Sequence, residues 1–538
     1  MKTLRILFIT IITAGLFASC SEDFLTAEST NSKPYGSDPI TEESINGNLA
    51  ACYHILLRDN YANGYNSIVV ISDLRSDEVF KGGEVPTNEP QLQALATFSC
   101  TPALNIGGFW ELYYRGVARC NETIANADLF IAAGTGNVEL VQQYKEEAIF
   151  LRAYFTYWMW LNWGNVPYPK ALLTQETEFI AVQYTADEVY QMLMADLAEC
   201  ESIGKLGLKS PEIARVNLAA IYMLKAAIVM YQKDQSKYNE VAANMAEIIK
   251  SGNYGLMADF DKMWEQEGEF CKENIFETNH ASYGGTDWGV NAANPWGFGS
   301  NLPAFISPRS MNDPAGIFGG EGWSFCTVRP YLYKTIGEPV GSDGKQPFFE
   351  AADVRRLASI NYWSYEAGEY VPHAYDTKGY FLRKYAARIG YSTQGVPTLN
   401  YSNNLRIYRY AETLINYAEL VGVLGASPAQ GVTAQACLDE VRSRANVGSI
   451  PVNADNIEKE KQREFIGEGK RYWDLVRWGK AAATLTENFI QPSVTADGSD
   501  ITFDFKRTWT EKSKYMPIPQ EEVAARLGTA YEIIQNPY

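Results

Sequence analysis

The run Val141-Gln142-Gln143-Tyr144-Lys145-Glu146-Glu147-Ala148-Ile149-Phe150-Leu151-Arg152-Ala153-Tyr154-Phe155-Thr156-Tyr157-Trp158 decides the architecture of this chain. Its stripe-forming side chains fall at 141, 144, 148, 151, 155 and 158. Steps of three and four residues place them on one face of an α-helix, and so regular a stripe packs against other helices. The same logic extends outward. Ser210-Pro211 reads as an N-cap and first-turn proline for a helix running to about Tyr231. Ile407, Ala411, Leu414, Ala418 and Val421 make a further stripe. Ser427-Pro428 opens a helix that ends near Ala445, and another covers roughly Asn456 to Ala483. The fold class expected is mainly α. Paired helices with small residues at their contacts suggest tetratricopeptide-like packing, without a strict repeat of the roughly 34-residue period. The alternation of strands and helices that a barrel enzyme needs is not found.

Between the helical blocks the composition changes. Residues 281–326 hold nine Gly and four Pro, with Tyr283, Trp288, Trp296 and Trp323 among them. Such a stretch forms loops, and loops on a rigid scaffold are where binding concentrates. Each of these tryptophans can equally serve to pin its loop to the scaffold.

Bulk chemistry narrows the partners. The 538 residues carry a formal charge of −18, which repels polyphosphate backbones and makes nucleic acid an improbable partner. With three histidines (His54, His280 and His373) and no Cys-x-x-Cys pair, a zinc site is not expected. Beyond Cys20, seven cysteines remain, an odd number that argues for buried free thiols over a complete disulfide framework. Hydrolase, metalloprotease, nucleotide and EF-hand signatures are lacking. No cofactor is expected, and structural calcium is not indicated.

The N-terminus reads as an export signal. Lys2 and Arg5 precede an apolar run from Ile6 to Ala18, too short to span a bilayer. It ends Leu16-Phe17-Ala18-Ser19-Cys20, which resembles a bacterial lipobox in which Cys20 is acylated and becomes the new N-terminus. Loss of residues 1–19 would remove Lys2 and Arg5, taking the charge from −18 to near −20. Ser21-Glu22-Asp23 resembles the acidic signal that sends lipoproteins to the cell surface in Bacteroidota-type bacteria, and the polar residues 24–40 suit a tether.

Several pieces, in order along nearly the whole chain, resemble the SusD/RagB family of outer-membrane nutrient-binding lipoproteins. They include Cys20-Ser21-Glu22-Asp23-Phe24-Leu25, Phe109-Trp110-Glu111-Leu112-Tyr113-Tyr114, Glu147-Ala148-Ile149-Phe150-Leu151-Arg152-Ala153-Tyr154 and Trp163-Gly164-Asn165-Val166-Pro167. Arg463-Glu464-Phe465-Ile466-Gly467-Glu468-Gly469-Lys470-Arg471, Asp474-Leu475-Val476-Arg477-Trp478-Gly479 and Tyr515-Met516-Pro517-Ile518-Pro519 follow toward the C-terminus. The resemblance implies a SusD-like fold with four tetratricopeptide-like helix pairs as scaffold, capture of an oligosaccharide or polysaccharide, and a SusC-like TonB-dependent transporter as partner at the outer membrane. The organisation then expected is a signal peptide at 1–19, a lipidated tether at 20–40, helical parts at 41–270 and 401–538, and a loop-rich ligand-binding region at 271–400. Residues 41–538 are expected to form one compact unit.

The family's starch binders use a Tyr from a Tyr-Gly-Gly turn and a Trp from a Gly-Trp-Ser stretch. Tyr283-Gly284-Gly285 and Gly322-Trp323-Ser324 match, which makes Tyr283 and Trp323 the leading ligand-binding candidates. Asp77-Glu78 also matches, but Val79-Phe80-Lys81-Gly82-Gly83 follows where those binders carry Trp-x-Trp, so starch is not the expected ligand. Lys81, Trp288 and Trp296 are further ligand-binding candidates. Peptide capture on the same scaffold is the alternative, and a surface glycoside hydrolase a more distant one. Glu464, Glu468, Arg471, Asp474 and Arg477 look catalytic, but a continuous helix would set the last four in an alternating i,i+3 charge ladder, so they read as structural, with no substrate cleft beside them. Glu412 and Glu419, seven apart on one helical face, receive the same reading.

The anchor makes a direct expectation. Cys20→Ala should leave the folded body intact and release it from membranes, since several acyl chains supply the stable attachment that one chain does not. Fractionation of cells lacking the transporter checks this, and a mutant that stays membrane-bound there refutes it.

Overall fold

A computed structural model describes residues 39–58, 67–85, 87–172, 181–282, 297–372, 378–495 and 497–538. Cys20, Tyr283, Trp288, Trp296 and His373 lie outside these residues. Helices dominate. α1 (Glu42–Ile55) starts at a capping box, in which Thr41 and Ser44 each accept the other's backbone N–H. α2 (Gly107–Ala133) stops at Gly134, whose φ is +64°. α3 (Val138–Trp163) begins where the Asn137 side chain accepts the Leu140 N–H at 3.1 Å. α4 (Ala186–Ile203), α5 (Leu218–Gln232) and α6 (Tyr238–Lys250) complete the first block. α7 (Tyr410–Gly422), α8 (Ala434–Arg444), α9 (Ala454–Phe465) and α10 (Arg471–Arg477) form the second.

The stripe at 141–158 belongs to a helix more enclosed than its pattern implied. Every residue of α3 from Glu146 through Trp163 is buried, because α1, α2, α4 and α5 all pack on it. Arg152 is tolerated there because its guanidinium meets both Asp196 oxygens, at 2.8 and 2.9 Å, and Asn121 Oδ1 at 3.0 Å.

Short antiparallel ribbons join the blocks. β1 (Asn274–Glu277) pairs with β4 (Arg406–Arg409), β2 (Ile360–Tyr362) with β3 (Tyr380–Leu382), and β5 (Glu487–Val494) with β6 (Asp500–Arg507). One apolar cluster runs from Leu49 through Phe276 to Ile533.

Three helix boundaries differ from the sequence reading. Ser210-Pro211 does not start α5: Ser210 accepts the Glu212 N–H in a turn, and Asn217 caps the helix by accepting from Ala220 at 2.9 Å. Ser427-Pro428 does not start α8: Thr433 is the cap, while the Tyr417 hydroxyl accepts the Ala429 N–H and holds the intervening turn against α7. Ile407 lies in β4, ahead of α7.

The segment expected as one helix from about Asn456 to Ala483 is broken after Phe465. Gly467 and Gly469 adopt φ of +76° and +71°, which L side chains rarely tolerate. The charge ladder is therefore largely absent, and only its Asp474–Arg477 step forms, at 2.7 Å. Glu468 turns instead to Lys384 (2.7 Å) and Arg409 (2.8 Å), and Arg471 to Asp77 (2.8 Å).

These redirected charges belong to a buried ionic knot. Arg409 meets Glu273, Glu464 and Glu468, and Arg355 meets Asp353, Glu460 and Glu464. Arg444 meets Glu273 and Glu464, Arg442 meets Glu460, and Lys384 meets Glu468. Burial alone would raise the Glu464 carboxyl, but Arg444, Arg409 and Arg355 hold it well below the usual carboxylate range. Nearby, burial likewise opposes ionisation of Glu419, and Arg477 and Lys461 bring it down to about 2.

Glu464→Gln keeps the shape but removes the charge that Arg355, Arg409 and Arg444 share, so it should cost about 3–5 kcal/mol in urea unfolding. Asp500→Asn, which frees only the exposed Lys378, should change little. The pH dependence follows from depressed carboxyls. Their stabilisation is complete above the ordinary value of 4.5 and is lost as pH falls toward about 2, the folded value of Glu419. The stability gap between wild type and Glu464→Gln should therefore narrow across that acid window.

Candidate functional site

The loop face around Trp323 is built by two strips of chain that cross. Residues 78–83 run antiparallel to 324–329. The Arg329 N–H reaches Glu78 O at 3.0 Å, Phe80 N–H reaches Thr327 O at 2.8 Å, and Cys326 N–H reaches Lys81 O at 2.9 Å. Gly83 N–H closes the strip on Ser324 O at 2.7 Å. The approach depends on Gly82: a Cβ there would lie 2.1 Å from Ser324 O. Gly322 does the same on the other side, where a Cβ would lie 2.1 Å from Ser307 O. The Asp77-Glu78 and Gly322-Trp323-Ser324 motifs, far apart in sequence, thus converge.

Trp323 is half-buried. Its N–H donates to Ala304 O at 2.8 Å, its ring meets Phe305 edge-on at 6.0 Å, and it packs with Tyr391 and Met311 on the small cluster of Ala304, Ala387 and Tyr401. Part of its surface is therefore packed, so Trp323 pins its loop to the scaffold as well as presenting the rest of its surface. Close by in the chain, the Arg309 backbone N–H donates to Ser324 Oγ at 3.2 Å, and the exposed Arg309 and Glu84 side chains lie 3.9 Å apart. An aromatic ring, a guanidinium and a carboxylate carried on adjoining backbone are the apolar face and the hydroxyl-binding groups that a sugar requires. Arg309 and Glu84 have no motif to announce them, and sequence reading missed them.

Tyr283 lies outside the described residues, yet both ends of its loop are fixed. Ala281 N–H donates to Phe298 O at 3.0 Å, and Ser282 Oγ accepts from Thr393 N (2.7 Å) and Gln394 N (3.2 Å). Tyr391, two residues before Thr393, packs on the Trp323 cluster. The described residues on either side of the segment that carries Tyr283, Trp288 and Trp296 are thus bonded to each other and to residues 393–394.

Lys81 stands differently from expectation. It is buried, and its ammonium donates to Val85 O at 3.1 Å and Asn88 O at 2.6 Å. Burial lowers it to about 8, against the opposing pull of Glu89. Its role is to hold the 81–88 loop. Beneath it, Asp77 and Glu78 are buried too. Burial would raise Asp77, but Arg471 and Lys345 hold it well below the usual range, whereas burial and then Asp73 and Asp77 push Glu78 well above it. Neither carboxylate is presented to solvent. His280 is likewise buried and pairs with Thr278, and the half-buried His54 has its ring within 3.3 Å of Gly297 O.

One cavity lies where none was expected. Tyr157, Tyr408, Glu412, Lys461, Asp474 and Arg477 line a space between α3, α7 and α10. Its carboxylates are ion-paired, Glu412 with Lys470 at 3.1 Å and Asp474 with Lys461 at 3.2 Å, so the cavity joins the structural network. Among the described residues no cluster of three or more His, Cys, Asp or Glu is arranged to hold a metal ion, and no helix is long and apolar enough to cross a membrane.

Comparison with known proteins bears on this face. The profile of the SusD family matches residues 352–538. The chain is similar to surface glycan-binding protein A from Bacteroides fluxus, with 44% identity, 93% of this chain and 100% of that one covered, and a TM-score of 0.81. It is similar to surface glycan-binding protein A from Bacteroides thetaiotaomicron in complex with laminarihexaose, at 34% identity, 92% and 99% coverage and a TM-score of 0.78. A laminarin-binding SusD-like protein shares 27% identity over 92% of this chain and 99% of its own, with a TM-score of 0.75.

Truncation of Trp323 should show both of its roles. Trp323→Ala should weaken glycan binding by roughly 1–3 kcal/mol, about five- to 150-fold. It should also lower the melting temperature, because packed ring surface is lost. Trp323→Phe should recover most of the stability and less of the affinity. Calorimetry on the same samples measures both, and an affinity unchanged per folded molecule would move the site elsewhere.

Proposed function

This chain belongs to the SusD family, and from that premise we propose that it is a cell-surface lipoprotein that holds a laminari-oligosaccharide on the Trp323 face and delivers it to a partner TonB-dependent outer-membrane transporter. The observation that carries the ligand class is the 34% identity, over 92% of this chain, with a surface glycan-binding protein in complex with laminarihexaose. Support from the chain itself is the half-buried Trp323 together with the exposed Arg309–Glu84 pair, whose backbone neighbourhood is bonded to Ser324 through Arg309 N–H and Gly83 N–H. Flat sugar rings stack on the indole while their hydroxyls meet the guanidinium and carboxylate.

In this reading the protein captures and does not cleave, and it needs no metal or cofactor to do so. Glu78 is buried, and the carboxylates beside the interior cavity are ion-paired, so neither set offers a pair of carboxyls facing a bound sugar across an open cleft. The acyl group on Cys20 supplies the anchor.

Isothermal titration of the chain from Ser21 onward with laminarihexaose should give saturable binding, unchanged by a chelator, while malto-oligosaccharides of equal length bind far more weakly. Incubation with laminarin should release no reducing ends. Equal binding of both glucans would overturn the ligand assignment, and reducing ends lost on mutating a single carboxylate would overturn the non-enzymatic one.

A further inference from the structure

Helices α1 and α2 pack antiparallel, with their register fixed at several levels. A Cβ on Gly116 would lie 3.2 Å from Ile55 Cγ2, so the two backbones come close there. One turn along, Arg119 Nη1 donates to Ala51 O at 2.8 Å, and Cys52 Sγ lies 3.4 Å from Thr123 Oγ1. Further still, Ile45 joins Ala127 and Phe130 in a small cluster. Each step of three or four residues along α1 is matched by a similar step in the opposite direction along α2. That register sets Cys120 opposite Cys52, between the Gly116–Ile55 contact and the Ile45–Ala127 level. Cys120 is also the largest influence on the Cys52 thiol, lowering its pKa against burial. Both side chains are wholly buried, and both are thiols in this structure.

We propose that Cys52 and Cys120 are a modification site, a dithiol that closes into a disulfide stapling α1 to α2 when the chain is exported. The inference rests on the export reading given above, since disulfides persist in oxidising compartments such as the bacterial periplasm. The oxidant is a disulfide-bearing protein of the cell envelope. One cysteine thiolate attacks its S–S bond, the second thiolate displaces the mixed disulfide, and the oxidant leaves as two thiols. The chain loses two hydrogens and gains one S–S bond; the oxidant accepts both electrons and both protons. Closure takes place while the helices dock, before burial seals the pair.

The position gives the staple a use. α1 is the first described helix after the tether, so any pull from the lipid anchor reaches the body through it. The bond closes a loop with 67 intervening residues, long enough for a large entropic effect on the unfolded chain.

The test uses the full chain isolated from the membranes of cells that export it. The protein is denatured in alkylating reagent without reductant, then mapped by mass spectrometry. Cys100, Cys200, Cys271, Cys326 and Cys437 should be alkylated, and Cys52 and Cys120 recovered as one cross-linked peptide lighter by two hydrogens. A reductant should lower the melting temperature of wild type by roughly 2–8 °C and leave that of Cys120→Ala unchanged. Alkylation of both Cys52 and Cys120 without reductant, in protein whose N-terminus is the processed Cys20, overturns the disulfide. Retention of residues 1–19 would instead show that the export reading had failed.

Discussion

The fold depends on the mutual neutralisation of buried charges around Arg409 and Glu464. Arg355, Lys384, Arg409, Arg442 and Arg444 are matched there by Glu273, Asp353, Glu460, Glu464 and Glu468. An unpaired ion in such a place would cost several kcal/mol, so each partner must be delivered to its position for any of the others to be tolerated. The partners come from the residue before β1, from the short helix ahead of β2 and the residue preceding it by two, from the segment after β3, from β4, and from α8, α9 and the turn after it. The glycine break after Phe465 follows from this demand, because a continuous helix would aim Glu468 along the helix surface and away from Lys384 and Arg409. The knot fixes where the loop-rich segment lies against the helices, and so where Trp323 is presented.

Much of the helical scaffold was legible because burial writes a periodic signal. The α3 stripe is one case, and the run from Ile407 to Val421 another, with its first residue lost to β4. Helix starts were less legible. Ser210-Pro211 and Ser427-Pro428 are good local caps, yet the chain uses Asn217 and Thr433, because the intervening residues are held in turns by partners distant in sequence or by their own side chains. The i,i+3 ladder misled for the same reason. Spacing reports which charges can meet along one helix, and a positive φ at Gly467 removes the helix.

At the candidate site, sequence reading located Trp323 through a motif and placed its loop by composition. It could not locate Arg309 or Glu84, since an exposed arginine or glutamate has no distinguishing pattern until the fold brings the two together. Lys81 shows the converse. A charged residue in a Gly-rich loop reads as solvent-facing, and here its ammonium is turned inward to cap the carbonyls of Val85 and Asn88. Whether a cation serves a ligand or its own loop is decided by carbonyls four to seven residues away, which no one-dimensional pattern records.

The closed stem at Ala281 and Phe298, with Ser282 tied to Thr393 and Gln394, has an evolutionary consequence. Because both ends of the intervening segment are bonded to the scaffold, its length and content can change without disturbing the ionic knot. Doubling the length of such a loop adds only about 0.6 kcal/mol to its closure cost. The stem acts as a socket. Changes of sequence between residues 282 and 297 therefore leave the bonds of the stem itself available.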